Sequence, residues 1–213
     1  MKKPTIHSVQ VPFENWKLYQ ENDSIKIWTN TFGDILSLNF FYENPNLPEF
    51  VADIHSLRNF YRDVISESHG SIVEVEKEFL GDFVLIKSIF KISQEITGFI
   101  FLASYSLIME SYTFIIKVEC PEKGTTGLRE STVLMMCGID GSIPKGSMEG
   151  WFYDPYDPAL NDKVSTNISD QEKYDRFFPN HPLTRARATL NQIKKKIIFG
   201  DEISLIDQFF KDL

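Results

Sequence analysis

The stretch Gly150-Trp151-Phe152-Tyr153-Asp154-Pro155-Tyr156-Asp157-Pro158 holds the densest set of recognition-competent side chains in this sequence. Rings that carry a polar handle favour interfaces, because one end can be buried while the other hydrogen-bonds. Trp151, Phe152, Tyr153, Asp154, Tyr156 and Asp157 are therefore the candidate binding residues. The competing reading is architectural. The rings anchor an arm that wraps the domain, and the aspartates and prolines make its turns.

Other chemistry is harder to place. Asp154, Asp157 and Asp162 fail the spacing of a calcium loop, and Pro155 and Pro158 stiffen the segment. His7, His55, His69 and His181 share no metal spacing and read as surface or cap residues, with His181 beside Pro182 a natural helix cap. Cys120 and Cys137 lack a C-x-x-C partner. Gly141-Ser142-Ile143-Pro144-Lys145-Gly146-Ser147 resembles a phosphate loop in its glycines. It lacks the lysine that should follow the second glycine, and Pro144 removes a donor. No nucleophile elbow and no dinucleotide fingerprint occurs. The expectation is no catalytic residue, no metal and no cofactor. A set assembled from distant residues is defined by geometry rather than sequence position. Its form here would be carboxylates, or His181 with Tyr156, in a site between sheet and arm.

Charge narrows the partners. The chain of 213 residues carries a formal charge of −8, which repels nucleic-acid phosphates and anionic lipid. Nucleic acid is excluded as an expectation. Met1-Lys2-Lys3-Pro4 is followed by no apolar signal region, and Gly98 to Met109 is too short for a membrane span. The protein is expected in the cytoplasm, with Cys120 and Cys137 reduced and buried. Without export, Asn22-Asp23-Ser24 and Asn167-Ile168-Ser169 carry no weight as glycosylation sites. Between Leu183 and Phe199 lie five basic residues and no acidic one. Such a helix can lie on a membrane, but the reading preferred here is a core-packed helix whose acidic flanks, Asp170 to Asp175 and Asp201 to Glu202, neutralise it.

The elements that must position these groups follow from periodicity. Ser24 to Trp28 and Ile35 to Phe40 alternate around Phe32-Gly33-Asp34, predicting a hairpin. Pro48 opens a helix bearing Ile54, Leu57, Tyr61, Val64 and Ile65, closed at His69-Gly70. From Ser71 to Cys120 the period returns to two, predicting adjacent antiparallel strands, with the nearly continuous apolar run from Phe99 to Met109 as a central one. Thr125-Thr126-Gly127 starts a second helix, with Leu128, Val133 and Met136 inside and Gly138 as its stop. Pro144, Gly146, Gly150, Pro155, Pro158, Pro179 and Pro182 then break regular structure. One short helix is predicted from the capping box Ser169-Asp170-Gln171-Glu172 to Pro179. Asn180-His181-Pro182 starts the last long helix, with its stripe Leu183, Ala186, Leu190, Ile193 and Ile197 and its stop at Gly200. Asp201 caps a final helix with Ile203, Ile206 and Phe210.

This order gives an α+β fold, a mainly antiparallel sheet with helices on its faces. Trp16 and Tyr19 before the hairpin, then Gly33-Asp34-Ile35-Leu36-Ser37-Leu38-Asn39, a helix, three strands and a helix, resemble the PsbP/DcrB-like α/β/α sandwich over roughly residues 10 to 138. Cys120-Pro121-Glu122-Lys123-Gly124-Thr125-Thr126-Gly127 also resembles a stretch of bacterial proteins of similar length. The resemblance implies a sandwich core over 1–138 with 139–213 as a partly irregular, helix-ended extension packed on it, one structural domain in all. It implies a non-catalytic protein-binding module: an adaptor, chaperone or immunity protein in a bacterial secretion or toxin setting. The expected partner is a protein.

Overall fold

The computed structural model describes residues 3–11, 14–42, 53–144, 146–205 and 208–209. A seven-stranded, wholly antiparallel sheet runs β2 (Lys17–Glu21), β3 (Ile25–Thr29), β4 (Ile35–Phe41), β8 (Thr113–Pro121), β7 (Phe99–Ile108), β6 (Phe83–Ser93) and β5 (Gly70–Leu80), in that spatial order. β1 (Val9–Gln10) pairs separately with β9 (Ile198–Phe199). The hairpin between β3 and β4 forms because Asn30 folds its side chain onto the turn. Its Oδ1 accepts from the Phe32 and Asp34 amides at 2.9 and 3.0 Å, and Gly33 takes the left-handed conformation at φ 73°.

Alternation decides which strand residues face which layer. Leu36, Leu38, Leu85, Ile89, Phe101, Ala103, Phe114, Ile116 and Val118 point to one side and form the main core with helix α3 (Pro182–Lys196). Ile72, Val75, Val84 and Ile86 point to the other, where helix α1 (Ile54–Ser66) inserts Leu57. The result is the α/β/α layering expected from the sequence. α1 begins at Asp53, whose carboxylate accepts from the His55 and Ser56 amides. The Pro48 start lies outside the described residues.

α3 follows its prediction closely. Leu183, Ala186, Leu190 and Ile193 are all fully buried, and His181 caps the helix by accepting the Leu183 amide on Nδ1 at 3.2 Å. Helix α2 (Leu128–Asp140) differs in two ways. It passes through Gly138 and ends at Gly141, which supplies the left-handed residue that a C-cap requires at φ 79°. Leu128, expected inside, is 59% exposed. The helix buries Val133 and Cys137 against Ile143, Trp151 and Tyr174, so its partner is the extension.

Within the extension the predicted helix from Ser169 is replaced by two 3-10 turns, Ile168–Asp170 and Glu172–Phe177. The cap is Asn167, which accepts from Ser169, while the Asp170 carboxylate accepts the Asn167 amide in return. The reason is tertiary. Asp170 and the Ser169 carbonyl are drawn to Lys91 and Arg129 respectively, and Gln171 between the turns is extended. After β9 the described residues 201–205 form no α-helix. Ile203 is buried, and Ile206 and Phe210 lie outside the described residues.

Candidate functional site

The six candidate binding residues are each tied into the molecule. Trp151 is 3% exposed in the cluster under α2. Phe152 bridges to Asn167 and keeps 38% exposure, and the Tyr153 amide donates to the Thr166 carbonyl. Asp154 is buried and receives both Arg62 donors at 3.0 and 3.1 Å. Its Oδ1 also accepts from the Tyr156 and Asp157 amides, which makes the turn. Asp157 caps the 3-10 turn Pro158–Lys163 through the Ala159 amide.

Tyr156 has a particular job. β5 is an end strand, and an open strand edge invites pairing with other chains. The Tyr156 hydroxyl accepts the Val75 amide at 2.7 Å and donates to Glu76 at 2.9 Å. The Arg58 guanidinium lies 3.6 Å from the ring centroid and donates to the Val75 carbonyl, and Thr166 donates to the Ile72 carbonyl. The arm thus closes this edge with side chains instead of another strand. Burial and the neighbouring Glu76 hold the phenol far above its usual range.

His181 and Tyr156, the alternative catalytic pair, share no partner. His181 stands edge-on to Phe101, with Nε2 3.6 Å from Glu122 Oε1 and near Glu130. Lys91, fully buried, reaches Asp170 at 3.0 Å and Glu130 at 3.3 Å. Glu122, Glu130 and His181 have the composition of a metal site, with donor atoms all within 4.8 Å. The hydrogen bonds speak against that use. Nδ1 accepts the Leu183 N–H, so the neutral ring carries its proton on Nε2, where a metal needs a lone pair. Lys91 already supplies Glu130 with a cation. Nε2 is also shut off from solvent, behind the wall of a pocket of about 410 Å³ lined by Phe32, Glu122, Leu128, Phe178 and His181 among others. The arrangement is an internal polar network that joins sheet, α2, α3 and extension.

Glu122 makes this network sensitive to acid. Burial pushes its carboxyl upward, but His181 and the Phe99 and Gly127 amides outweigh that and hold it below the ordinary glutamate range. A depressed folded-state carboxyl contributes stability above the ordinary range and loses it as pH falls through the folded value. Glu122→Gln is therefore expected to flatten the decline in stability between about pH 5 and pH 3. Urea midpoints across that interval check it, and parallel profiles for the two proteins would refute it.

The basic helix is neutralised more widely than its flanks suggested. Arg185 makes a bidentate pair with Asp34, Arg187 meets Asp175, Lys194 meets Glu78 and Lys196 meets Glu14. Among the described residues no helix is long and apolar enough to cross a membrane.

The uncovered surface lies elsewhere. Between α2 and residues 141–144 and 146–148 runs a groove of about 760 Å³, lined by Ser131, Leu134, Met135, Gly138, Ile139, Ile143, Pro144, Gly146, Ser147 and Met148. Among the described residues no charged side chain lines it. Met135, Ile139 and Met148 are 61%, 79% and 48% exposed. Residues 131, 134, 135, 138 and 139 recur at helical spacing, so one face of α2 is buried in the extension and a second apolar face is left open. The residue-by-residue reading missed this site. Its signal was present as an excess of apolar residues in α2, more than one buried face can use.

No protein-family model matches the chain, and no curated protein does. Among solved structures it is similar to the Ran-binding protein Mog1p of Saccharomyces cerevisiae, at 7% identity and a TM-score of 0.47 over 91% of each chain. It is similar also to the PsbP (CyanoP) of Synechocystis, at 8% identity and a TM-score of 0.39, over 66% of this chain and 88% of that one. LpqN of Mycobacterium tuberculosis, involved in cell envelope biogenesis, matches at 11% identity and a TM-score of 0.31, over 62% and 78%.

Proposed function

We propose that this chain is a non-catalytic protein-binding module that works through the open groove between α2 and residues 141–144 and 146–148. One observation carries the reading: Met135 and Ile139 on α2 and Met148 beyond it stand exposed around a groove whose described lining is uncharged, while the other face of α2 is buried through Val133 and Cys137. Contiguous exposed apolar surface marks interaction sites, and methionine adapts its shape to varied partners. The ion pairs around His181 support the same reading, since their charges are met within the molecule, Lys91 by Asp170 and Glu130, Arg129 by Asp175 and Arg185 by Asp34. A cytoplasmic adaptor, chaperone or immunity role in bacterial secretion or toxin biology is the finer form of this proposal, and its support is the sequence resemblance alone.

The test compares the native chain with a Met135→Glu/Ile139→Glu double variant as baits for partner capture. Both positions are exposed, so the melting temperature should hold. A partner retained by the native chain and lost by the variant supports the groove. Equal capture by both baits sinks it.

A further inference from the structure

Two buried polar atoms at the junction of α2 and α3 are left with bonds to make. His181 Nε2 and Glu130 Oε2 are both closed to solvent, and neither has a hydrogen-bond partner among the described residues. Burying such an atom unpaired is costly, because the water it gives up is not replaced. Nε2 carries the ring proton, since Nδ1 accepts the Leu183 amide. Glu122 Oε1 stands 3.6 Å from Nε2, which is too far for a hydrogen bond and suits a small molecule between the two. A ring nitrogen of His181 and one carboxylate oxygen each from Glu122 and Glu130 lie within 4.8 Å of one another. Three polar atoms spread evenly around one water, each about 2.8 Å from it, would be separated by nearly that distance.

We infer that a single water molecule binds between His181, Glu130 and Glu122 and completes the joint that α3, α2 and the end of β8 make there. The count of donors and acceptors decides the occupant. The site offers one N–H, from His181, and two carboxylates. Glu130 has Oε2 unspent, while its Oε1 takes Lys91 at 3.3 Å. Glu122 Oε1 takes the Gly127 amide at 3.3 Å and keeps a second lone pair. A water accepts the N–H and donates to both carboxylates, which is the set of about three bonds a buried water ordinarily makes. A metal ion or ammonium would face the Nε2 proton. A halide or phosphate would accept that proton but stand against two carboxylates. The three side chains come from separate segments, and the water is the one group that bonds to all of them. It therefore positions the first turn of α3 against α2, and it does so whether or not the groove on the far side of α2 binds a protein.

The test is a crystal structure of the full chain at a resolution that shows ordered solvent. A spherical density peak about 2.6–3.2 Å from both Nε2 and an oxygen of Glu130 is the expected result. Nε2 drawn directly onto Glu122, with no density between them, overturns the inference. A second crystal soaked in zinc chloride should show the same peak without anomalous signal at the zinc edge. Zinc on the ring nitrogen would name a metal as the occupant and overturn the water. In solution, oxygen-17 relaxation dispersion of the solvent counts long-lived internal waters. His181→Phe keeps a ring beside Phe101 and removes the N–H, so it should lose one long-lived water relative to the native chain. An unchanged count in a variant that keeps its native circular dichroism overturns the site. If His181→Phe does not fold, the density in the native crystal decides alone.

Discussion

Arg129→Met is expected to cost about 3–5 kcal/mol of stability, the range for breaking a buried ionic contact by removing one partner. Arg129 is 1% exposed and spends its donors on four different acceptors. Nε donates to the Ser169 carbonyl at 2.8 Å and Nη2 to the Gln171 carbonyl at 3.2 Å. Nη1 reaches Thr184 Oγ1 at 2.9 Å and the Asp175 carboxylate at 2.8 Å. One planar fork thus fastens both 3-10 turns of the extension to α2 and to the first turn of α3. Methionine keeps most of the volume but leaves two backbone carbonyls without this donor, and Asp175 with Arg187 as its remaining guanidinium partner. Arg129→Lys keeps the charge as a single point and cannot span four acceptors, so its loss should be smaller but still measurable. Urea unfolding at constant m-value measures both. A loss under about 1 kcal/mol for Arg129→Met would show that the turns are held by apolar packing around Trp151 and Tyr174 instead.

The same contacts explain which parts of the molecule could be read in advance. Strands β4 and β8 and helix α3 were legible because one buried face imposes a period on their apolar residues, β7 was legible because a nearly continuous apolar run suits a strand covered on both faces, and His181 was legible as a cap because Pro182 follows it. The polar network was not. Lys91 and Lys87 lie on the face of β6 that also carries Leu85 and Ile89 toward α3, and lysines on a strand ordinarily signal solvent. What covers Lys91 is Asp170, 79 residues on, and no local pattern predicts that pairing. Ser169-Asp170-Gln171-Glu172 satisfies the rule for a helix start, but Lys91 and Arg129 draw those groups into tertiary bonds that a continuing helix would not allow. Gly138 was read as a stop because glycine commonly is one, and Gly141 three residues later does that work. The aromatic arm carried its identity in composition and hid its orientation. Trp151, Tyr156 and Asp154 look alike as surface or anchor until the β5 edge and Arg62 are placed beside them.

The buried pair of Lys91 and Asp170 yields the second large effect, and its sign pattern distinguishes a docking device from a simple source of stability. Both side chains are fully buried, with Nζ 3.0 and 3.2 Å from the two carboxylate oxygens and 4.3 Å from the centroid of Phe99. Taking two charges out of water costs several kcal/mol each, and their attraction only roughly repays it. Lys91→Met should therefore lose about 3–5 kcal/mol, because it strands Asp170 and takes a cation from Glu130. Asp170→Asn strands Lys91 only in part, since Glu130 stays at 3.3 Å, and the new amide oxygen can still accept the Asn167 amide. Its loss should be smaller. The Lys91→Met/Asp170→Asn double variant should then be less destabilised than the sum of the two, with a coupling of about 1–3 kcal/mol, because each single change carries a penalty that the double one avoids. Denaturant midpoints for the four proteins of the cycle give that number directly. Strictly additive losses would mean that the two residues stabilise the fold independently. A clear coupling would mean that the charge on β6 selects where the turn at Ile168–Asp170 docks, which in turn fixes Ile168, Trp151 and Tyr174 beneath α2. The open face of α2 keeps its position only while that underside is held. Loosening the Lys91 contact should therefore weaken partner capture through the groove without changing any residue that lines it.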